Sequence, residues 1–403
     1  MSQFYYARDT KVFLTPAGST AVAWEIPVLD GMSFSQSTET TEITLNEMQS
    51  ATGVSRRSRQ IFTDAFNPSE WAFSTYMRPF GALPAASGDI WEPSGSISGK
   101  PQHAVEEALW AFMVGAGAFT IGSGSTASAW ADGVANTDAE MTVDWTGSEV
   151  ASLPEFDLYF ELGGARAGND VTYKIPKCVV NEAAIDFDID GIATINWSGF
   201  GQNITEFSGN SGNPPSFTKT IAEGIHGVTT NFIKNRLTAL TCVGTNISSA
   251  SSSDTYNLVL TGGNITISNN VTFLTPETLG VVNLPIGNVT GTRTITGNAT
   301  SYLNTTADGS GDLFDELALL TDSSANASAI VNSFALNFLI GGSGNTPRVE
   351  VTLPRAHLEV PQHSVDDIVS VDVNFHGLPA SVDPGSTAGN YEISLKYVGP
   401  DLT

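Results

Sequence analysis

Hydrophobic and polar residues alternate with a period of two along much of the chain, which predicts β-strands with one buried face. The segment W-A-F-S-T-Y at residues 71–76 and the segment Y-E-I-S-L-K-Y-V at residues 391–398 show this pattern. Residues 106–114 and 313–320 instead have the spacing of short amphipathic helices. The pattern predicts a mainly β protein with two short helices.

Residues 38–80 form the stretch around which the first half is organised. It begins with the alternating segment T-E-T-T-E-I-T-L-N-E, continues through a loop that carries S-R-R-S-R at residues 55–59, and ends in an aromatic-rich segment. Pro79 closes the segment because proline has no N–H to donate to a neighbouring strand. We interpret the stretch as a strand, a basic loop and a second strand.

An internal repeat divides the chain. The segment F-D-L-Y-F-E-L-G-G at residues 156–164 recurs as F-A-L-N-F-L-I-G-G at residues 334–342, an offset of 178 residues. The match continues without a gap to Gly199 and Gly377, with glycines and a proline in step. This agreement indicates a duplication rather than chance similarity between strands.

The duplication predicts two homologous domains, each with one short helix. We place the boundary near residue 230, so the domains are 1–229 and 230–403. Residues 116–150 are rich in Gly, Ser, Ala and Asp and have little periodicity. They are interpreted as a loop excursion of the first domain.

Composition narrows the function. The chain has 403 residues, and its 41% hydrophobic content excludes a disordered protein. It carries 42 acidic and 17 basic side chains, a net charge of -25. Proteins that bind nucleic acid broadly do so by neutralising phosphates with cations, so this charge argues against that function.

Cysteine usage and the N-terminus indicate the compartment. Cys178 and Cys242 are too few for a disulfide scaffold and are expected to be buried apolar residues. The N-terminal sequence lacks the apolar segment of a signal peptide, and no later segment has the length and hydropathy of a membrane span. We therefore expect a protein made in a cytoplasm, with no membrane partner.

Candidate catalytic and metal-binding residues are few. His357 and His363 flank L-E-V-P-Q and could bind a metal with Glu359, but the repeat aligns them with Val179 and Ile185, which are ordinary strand positions. The acidic loop at residues 308–312 lacks the order of a calcium loop and is expected to cap the following helix. Because no catalytic or nucleotide-binding motif is present, we predict no enzyme activity and no cofactor.

Acidic residues alternate in A-I-D-F-D-I-D-G at residues 184–191. Asp186, Asp188 and Asp190 are predicted on one face of a strand, opposite three apolar side chains. A solvated outer face and the lining of a channel both fit this pattern.

Basic residues cluster in one place. Arg56, Arg57 and Arg59 could form a nucleic-acid patch, but in an acidic chain we favour contact with acidic surface on another subunit.

The sequence of residues 38–80 resembles that of a known protein family. T-E-I-T-L-N-E at residues 41–47, S-R-R-S-R at 55–59, F-T-D at 62–64 and E-W-A-F-S-T-Y at 70–76 resemble the major tail tube proteins of long-tailed bacteriophages. The resemblance is to the branch in which one chain carries two tube domains and three chains make a ring.

The resemblance implies a fold and a function. The fold would be two tandem tail-tube-type β-sandwich or barrel domains, whose inner sheets close into a shared barrel on oligomerisation. The function would be structural: homotrimeric, pseudo-hexameric rings stacked into an acidic conduit through which the genome passes at ejection, without specific DNA binding. The partners would be further copies of the chain and the tape measure, tail terminator and baseplate proteins. The protein would reside in the virion tail after assembly in the host bacterial cytoplasm.

The resemblance also assigns candidate residues. The candidates for the lumen lining are Glu39, Glu42, Asp186, Asp188, Asp190 and Asp366, and the candidates for contacts between subunits are Arg56, Arg57 and Arg59. Two alternatives remain: a virion decoration or baseplate protein with a similar fold, and a surface carbohydrate-binding adhesin. The adhesin would need a secretion route and an aromatic binding platform, and the sequence indicates neither.

Overall fold

The structure is a computed structural model of the chain. The ranges that it describes are residues 7, 10–18, 22–43, 60–78, 82–84, 104–114, 118–121, 125–126, 140–146, 152–163, 171–207, 219–223, 232–244, 255–322, 333–343, 347–365, 367–379 and 391–398.

Strands dominate these residues. Those before residue 230 are β1 Lys11–Pro16, β2 Val22–Ile26, β3 Ser33–Ser35, β4 Thr38–Ile43, β5 Gln60–Phe66, β6 Ser69–Tyr76, β7 Ala82–Pro84, β8 Ala118–Ile121, β9 Ser125–Thr126, β10 Glu140–Thr146, β11 Phe156–Leu162, β12 Val171–Asp188, β13 Thr194–Gly201, β14 Thr205–Glu206 and β15 Lys219–Glu223. Those after it are β16 Ala239–Gly244, β17 Thr255–Leu258, β18 Leu260–Ser268, β19 Thr272–Leu274, β20 Gly287–Val289, β21 Thr294–Tyr302, β22 Phe334–Ile340, β23 Arg348–Leu358, β24 Gln362–Val365, β25 Val369–Gly377 and β26 Tyr391–Val398. The α-helices are α1 Glu107–Val114 and α2 Ser310–Asp322. The mainly β prediction with two short helices is confirmed.

One local prediction is confirmed with an addition, and one is corrected. The aromatic-rich strand predicted at residues 71–76 is β6, and a further strand, β5, precedes it and is separated from it by Asn67 and Pro68. The stretch interpreted as a loop contains β8, β9 and β10, and in β10 Met141, Val143 and Trp145 are buried. β10 pairs with β26, so this part of the first half completes a sheet of the second half.

One extended sheet joins the two halves of the chain. In the described residues its strands follow the order β3–β6–β13–β12–β18–β21–β25–β24, with antiparallel pairing at every step. We call this the long sheet. Its middle step pairs β12 of the first half with β18 of the second half, so backbone hydrogen bonds connect the halves directly.

A second layer covers one face of the long sheet and creates the core. β12 belongs to both layers: residues 171–178 pair with β11, and residues 179–186 pair with β13. β23 makes the same change of partner, from β22 to β25. The side chains enclosed between the layers form a large apolar core that includes residues of both helices. This is a sandwich of packed antiparallel sheets.

The duplicated segments form the same hairpin. β11 pairs with β12 from Leu158↔Ile175 to Leu162↔Val171, and β22 pairs with β23 from Leu336↔Leu353 to Ile340↔Val349. Each pair is displaced by 178 residues, and both hairpins have a register shift at the equivalent place. The repeat in the sequence is therefore a repeat in strand pairing.

The next hairpin departs from the constant offset by two residues. Asp186 pairs with Thr194 across a long connection, whereas Val365 pairs with Val369 across a short one. From β13 and β25 onward, the residues that are equivalent by strand pairing therefore differ by two positions from those that the ungapped sequence alignment matches. Pro361 stands where the first half has Ala183, and it separates β23 from β24 while β12 runs unbroken.

The register extends the repeat to strands in which the sequence did not reveal it. β6 corresponds to β21, so Trp71 corresponds to Gly297, and β13 corresponds to β25, so Gly199 corresponds to Phe375. Trp71 lies directly opposite Gly199, and Gly297 lies directly opposite Phe375. The ring and the glycine have exchanged strands between the copies, and in both copies the ring lies over the glycine.

Helix α1 is packed among tryptophans. The Trp110 ring lies 4.5 Å from that of Trp197 and 5.5 Å from that of Trp145, between ring centroids. Its indole Nε1–H donates to the Tyr397 hydroxyl at 2.7 Å. Because β13, β10 and β26 supply these partners, the helix of the first half fastens both layers and both halves together.

A buried carboxyl precedes this helix. Glu106 is fully buried close to the Arg78 guanidinium. Burial raises the pKa of Glu106 to about 8, although the nearby Arg78 guanidinium opposes the shift. The side chain is therefore protonated in the folded protein at neutral pH.

We expect Gly199→Ala to destabilise the subunit by about 2 kcal/mol or more. A Cβ at Gly199 would lie 2.0 Å from the Val179 carbonyl oxygen and 2.5 Å from a carbon of the Trp71 ring. Chemical denaturation measures the change. Gly287→Ala is the matched control, because no atom lies within 4 Å of a Cβ added there, and its effect should stay within about 0.5 kcal/mol. Equal stabilities of the two variants would contradict the packing argument.

Glu106 should make stability depend on pH. Its pKa is about 8 in the folded state and about 4.3 in an unfolded chain, so unfolding between these values releases a proton. The free energy of unfolding should fall as pH rises from about 5 to 8, by at most about 1.4 kcal/mol per unit from this group.

Denaturation curves across this range test the effect. Glu106→Gln should flatten the dependence, whereas Glu70→Gln, on an exposed side chain, should not. An unchanged slope in Glu106→Gln would rule out this origin.

Candidate functional site: the polar face of the long sheet

The long sheet has one apolar and one polar face. In β6, Trp71, Phe73 and Thr75 are buried in the core, while the alternate residues face away from it. The same alternation runs through the other strands. The residues that face away are mostly Ser, Thr and Asn: Ser33, Ser35, Ser74, Thr194, Asn196, Ser198, Asn264, Thr266, Thr296, Asn298, Thr300, Gln362, Ser364, Ser370 and Asn374. We call this surface the polar face.

The charges on the polar face have one sign. Its carboxylates are Glu70, Glu182, Asp186, Asp188 and Asp372. In the described part of the long sheet, counting residues 179–188 of β12, no lysine or arginine occurs. The histidines of the sheet, His363 and His376, are its only side chains that can become cationic. A phosphate group on this face would meet no permanent cation.

Hydrogen bonds between neighbouring strands hold the polar side chains in place. The Ser74 hydroxyl donates to Asn196 Oδ1 at 2.6 Å, and the Asn196 amide donates to Asp186. In the second half, the Thr300 hydroxyl donates to Asp372 Oδ1 at 2.6 Å. These contacts order the face and occupy part of the hydrogen-bonding capacity of its carboxylates.

The three alternating aspartates have different environments. Asp186 and Asp188 lie on the polar face, opposite the buried Ile185 and Phe187, as the alternation predicts. Partial burial raises the pKa of Asp186, and the hydrogen bond from Asn196 opposes that shift. Asp190 lies beyond the end of β12.

Asp190 is paired with a cationic side chain. Its carboxylate forms an exposed ion pair of 2.9 Å with Arg236. The predicted common face therefore holds for the first two aspartates, and Asp190 adds little uncompensated charge.

The remaining predicted residues are not on the described long sheet. Glu39 and Glu42 belong to β4, which pairs with β5 in a separate two-stranded hairpin. Asp366 and the arginines at residues 56, 57 and 59 lie outside the described residues. Their predicted roles stay predictions.

Sequence reasoning missed three acidic residues of the polar face. Glu70 and Asp372 each lie between two buried neighbours, and Glu182 directly precedes the buried Ala183. The period-two pattern of V-S-V-D-V-N-F-H-G at residues 369–377 was enough to identify Asp372. Each of these residues has one charge among uncharged neighbours, so none forms a visible cluster in the sequence.

The histidines do not assemble a metal site in the described part of the chain. His363 packs edge-on against Phe314 of α2, with ring centroids 4.9 Å apart, while His376 lies 3.2 Å from Glu359. Hydrogen bonds from Asn374 and His376 lower the pKa of Glu359. Within the described residues, no group of three or more histidine, cysteine or carboxylate side chains is arranged to hold a metal.

Cys178 and Cys242 are unpaired and buried, as expected. Burial raises the pKa of both thiols, which keeps them protonated and unreactive.

The two ends of the long sheet are open. Among the described residues, β3 pairs only with β6, and β24 pairs only with β25. Val365 on β24 is 75% exposed. An open strand edge presents unpaired N–H and C=O groups, which is a template for pairing with another chain.

A separate apolar surface lies near the β4–β5 hairpin. Residue 283, in the connection between β19 and β20, exchanges backbone hydrogen bonds with Asp64 and Phe66. The two segments that meet here, β5 and residues 274–286, carry large exposed side chains: Ile61, Phe62, Leu274, Leu279, Val281, Val282, Leu284 and Ile286. Apolar exposure on this scale is typical of a surface that another protein covers.

The architecture is that of a structural β-sandwich protein. No helix in the described ranges has the length and hydropathy needed to cross a membrane. Residues 91–377 match the family model of the phage tail tube protein. The chain belongs to this family, and the predicted resemblance is confirmed.

A curated relative extends the match beyond the family model. The chain is 27% identical over 396 residues to the tail tube protein pb6 of Escherichia phage T5, which covers 97% of this chain and 76% of that protein. The chain is therefore a tail tube component of a phage virion, and family membership favours a structural role over catalysis and over an adhesin.

Proposed function

We propose that copies of this chain form stacked rings of a phage tail tube, and that the polar face of the long sheet lines the conduit for the genome. The observation that carries the proposal is the combination, in the described part of one sheet, of a face without lysine or arginine and of two open edges. The edges supply a way to close a ring, and the face supplies a surface that does not hold DNA.

The absence of fixed cations has a physical consequence for a moving polyanion. Each lysine or arginine that contacts a phosphate releases counterions and strengthens binding. Such contacts would have to break at every step of passage. A face of hydroxyls, amides and a few carboxylates offers only hydrogen bonds that water can replace.

Ring closure also removes an aggregation hazard. A β-sheet that is closed into a barrel has no free edges. If three chains each contribute a long sheet with two halves, the ring has six similar units, in agreement with the proposed domains 1–229 and 230–403. Assembly in the host cytoplasm and contacts with tape measure, tail terminator and baseplate proteins belong to the same proposal.

Electron microscopy of the purified protein tests the proposal directly. We expect hollow filaments or rings. Arg56→Ser, Arg57→Ser and Arg59→Ser together should leave the subunit folded and reduce polymerisation, because these arginines are proposed to meet acidic surface on a neighbour. Light scattering and sedimentation measure polymer mass, and circular dichroism checks the fold. Normal tubes from the triple variant would remove the role of the arginines, and a strictly monomeric wild-type protein would contradict the tube.

Charge reversal on the polar face tests the conduit. Asp186→Lys with Asp188→Lys places cations along the proposed path, so we expect ejection of DNA to slow several-fold, and more at low salt, because phosphate contacts are screened by salt.

The rate is measured with phage particles that carry the variant gene and have tails of normal length. Asp186→Asn with Asp188→Asn removes the same charges without adding cations, and it should eject at close to the wild-type rate. Unchanged ejection by the lysine variant would show that these residues face away from the DNA.

A further inference from the structure

We propose that β24 of one subunit pairs with β3 of the next subunit in the register that β12 and β18 already use within the chain. The inference rests on the proposed function, because it specifies how rings of this chain close. It identifies the partner as a second copy and fixes which residues stand opposite each other.

The internal junction is an antiparallel ladder. β12 and β18 pair from Glu182↔Ser268 to Asp188↔Gly262. Hydrogen bonds from Ile189 N to the Thr261 carbonyl oxygen, 3.1 Å, and from Asn269 N to the carbonyl oxygen of residue 181, 2.8 Å, extend it at both ends. The side chains on the core face are fully enclosed.

Tight packing supports this ladder on its core side. Ile185 and Ile265 are both fully buried, and a Cβ at Gly263 would lie 2.9 Å from the Phe187 ring. Where two homologous units meet, this sequence therefore makes continuous sheet.

The two open edges are the duplicates of the strands in that junction. β24 continues β23 in the way that the second part of β12 continues its first part, and each lies beside the strand of the following hairpin, β25 or β13. β3 lies beside β6 as β18 lies beside β21. The chain thus presents at its ends the two strands whose counterparts join in its middle.

The sequences of β3 and β18 support this equivalence. Aligned by their pairing with β6 and β21, residues 29–37 read L-D-G-M-S-F-S-Q-S and residues 260–268 read L-T-G-G-N-I-T-I-S. Leucine, glycine and the final serine are identical, and an apolar residue stands between small polar ones in both. This similarity agrees with the alignment that the strand pairing gives.

Transfer of the internal register predicts the pairs of the new junction. Ser364 of one subunit would stand opposite Ser33 of the next, and Gln362 opposite Ser35 of the next. These positions correspond to Asp186↔Asn264 and Ala184↔Thr266 in the internal junction. Both pairs lie on the polar face.

The core side of the new junction would bury apolar surface that is now open. Val365 is 75% exposed, whereas its counterpart Phe187 is 4% exposed. The register places Met32 of the next subunit opposite Val365 and Phe34 of the next subunit opposite His363. Phe34 is already stacked on Phe160, with ring centroids 4.6 Å apart, so it offers an ordered surface to a neighbour.

Hydrogen-bond parity makes the polar-face pairs suitable for cross-linking. The hydrogen bonds at residues 181 and 189 assign the odd-numbered residues of β12 to hydrogen-bonded pairs. Asp186↔Asn264 is therefore a non-hydrogen-bonded pair, in which the Cα atoms are about 4.5 Å apart. The equivalent pair of Ser33 and Ser364 should accept a disulfide.

The test is oxidation of assembled tubes made from Ser33→Cys/Ser364→Cys. We expect most chains to run as covalent trimers on a non-reducing gel and to return to monomers on reduction. Ser35→Cys/Gln362→Cys is a second matched pair, which serves if the first variant does not fold. Ser35→Cys/Ser364→Cys is the control, because its positions are displaced by two residues and the diagonal separation of about 7–8 Å exceeds the Cα–Cα span of a disulfide.

The outcomes separate this inference from the proposed function. Cross-linking of both matched pairs, with little in the control, supports the register. Tubes in which neither matched pair cross-links, or in which only the control does, overturn the register and leave the tube intact. A wild-type protein that forms no tubes or rings overturns both. Buried Cys178 and Cys242 do not complicate the result, because they are enclosed in the folded subunit.

Discussion

Backbone hydrogen bonding across strand edges is the constraint on which this structure depends. A strand buried on one face still needs a partner on each side, because unpaired N–H and C=O groups are sites of uncontrolled association. Inside the chain the need is met by the pairing of β12 with β18, which turns two homologous sheets into one. Among the described residues, β3 and β24 have no partner on their outer sides. Because the two halves already pair through such edges, further copies of the chain can extend the sheet by the same pairing.

The joined halves are further coupled through the core. β10, from the first half, extends the sheet that contains β26, and Trp110 bonds Tyr397 while packing on Trp145 and Trp197. Relative movement of the halves would break a sheet ladder and open a cluster of buried aromatic rings. In the proposed ring, rigid coupling of this kind would hold the two edges of each subunit at a fixed angle.

Sequence pattern predicted the elements better than it predicted their boundaries. Period-two alternation identified β6 and β26, and the ungapped repeat identified the β11–β12 and β22–β23 hairpins, because their register was retained residue for residue. The repeat became invisible in β21 and β18, since insertions changed the offset. There the exchange of Trp71 and Gly199 for Gly297 and Phe375 preserved volume across two strands while erasing identity at each position.

The candidate site was predicted in part for a related reason. Strand alternation places Asp186 and Asp188 on a shared face, but the alternation alone does not predict that β12 ends at Asp188. Beyond that point the direction of Asp190 depends on the loop and on Arg236, which lies 46 residues later. The union of strands from both halves into one polar face is a tertiary property. It required pairings between β12 and β18 that local sequence does not encode.

The composition of the polar face suggests which electrostatic property matters for a conduit. The chain has 42 acidic side chains, yet only Glu70, Glu182, Asp186, Asp188 and Asp372 lie on the described polar face, and hydrogen bonds engage three of these. Rings of closely spaced carboxylates would repel one another and oppose closure, although screening limits each exposed pair to tenths of a kcal/mol. Exclusion of lysine and arginine carries no such cost. In the proposed ring, a face of hydroxyls, amides and a few carboxylates, without fixed cations in its described part, would leave a passing phosphate backbone without a partner.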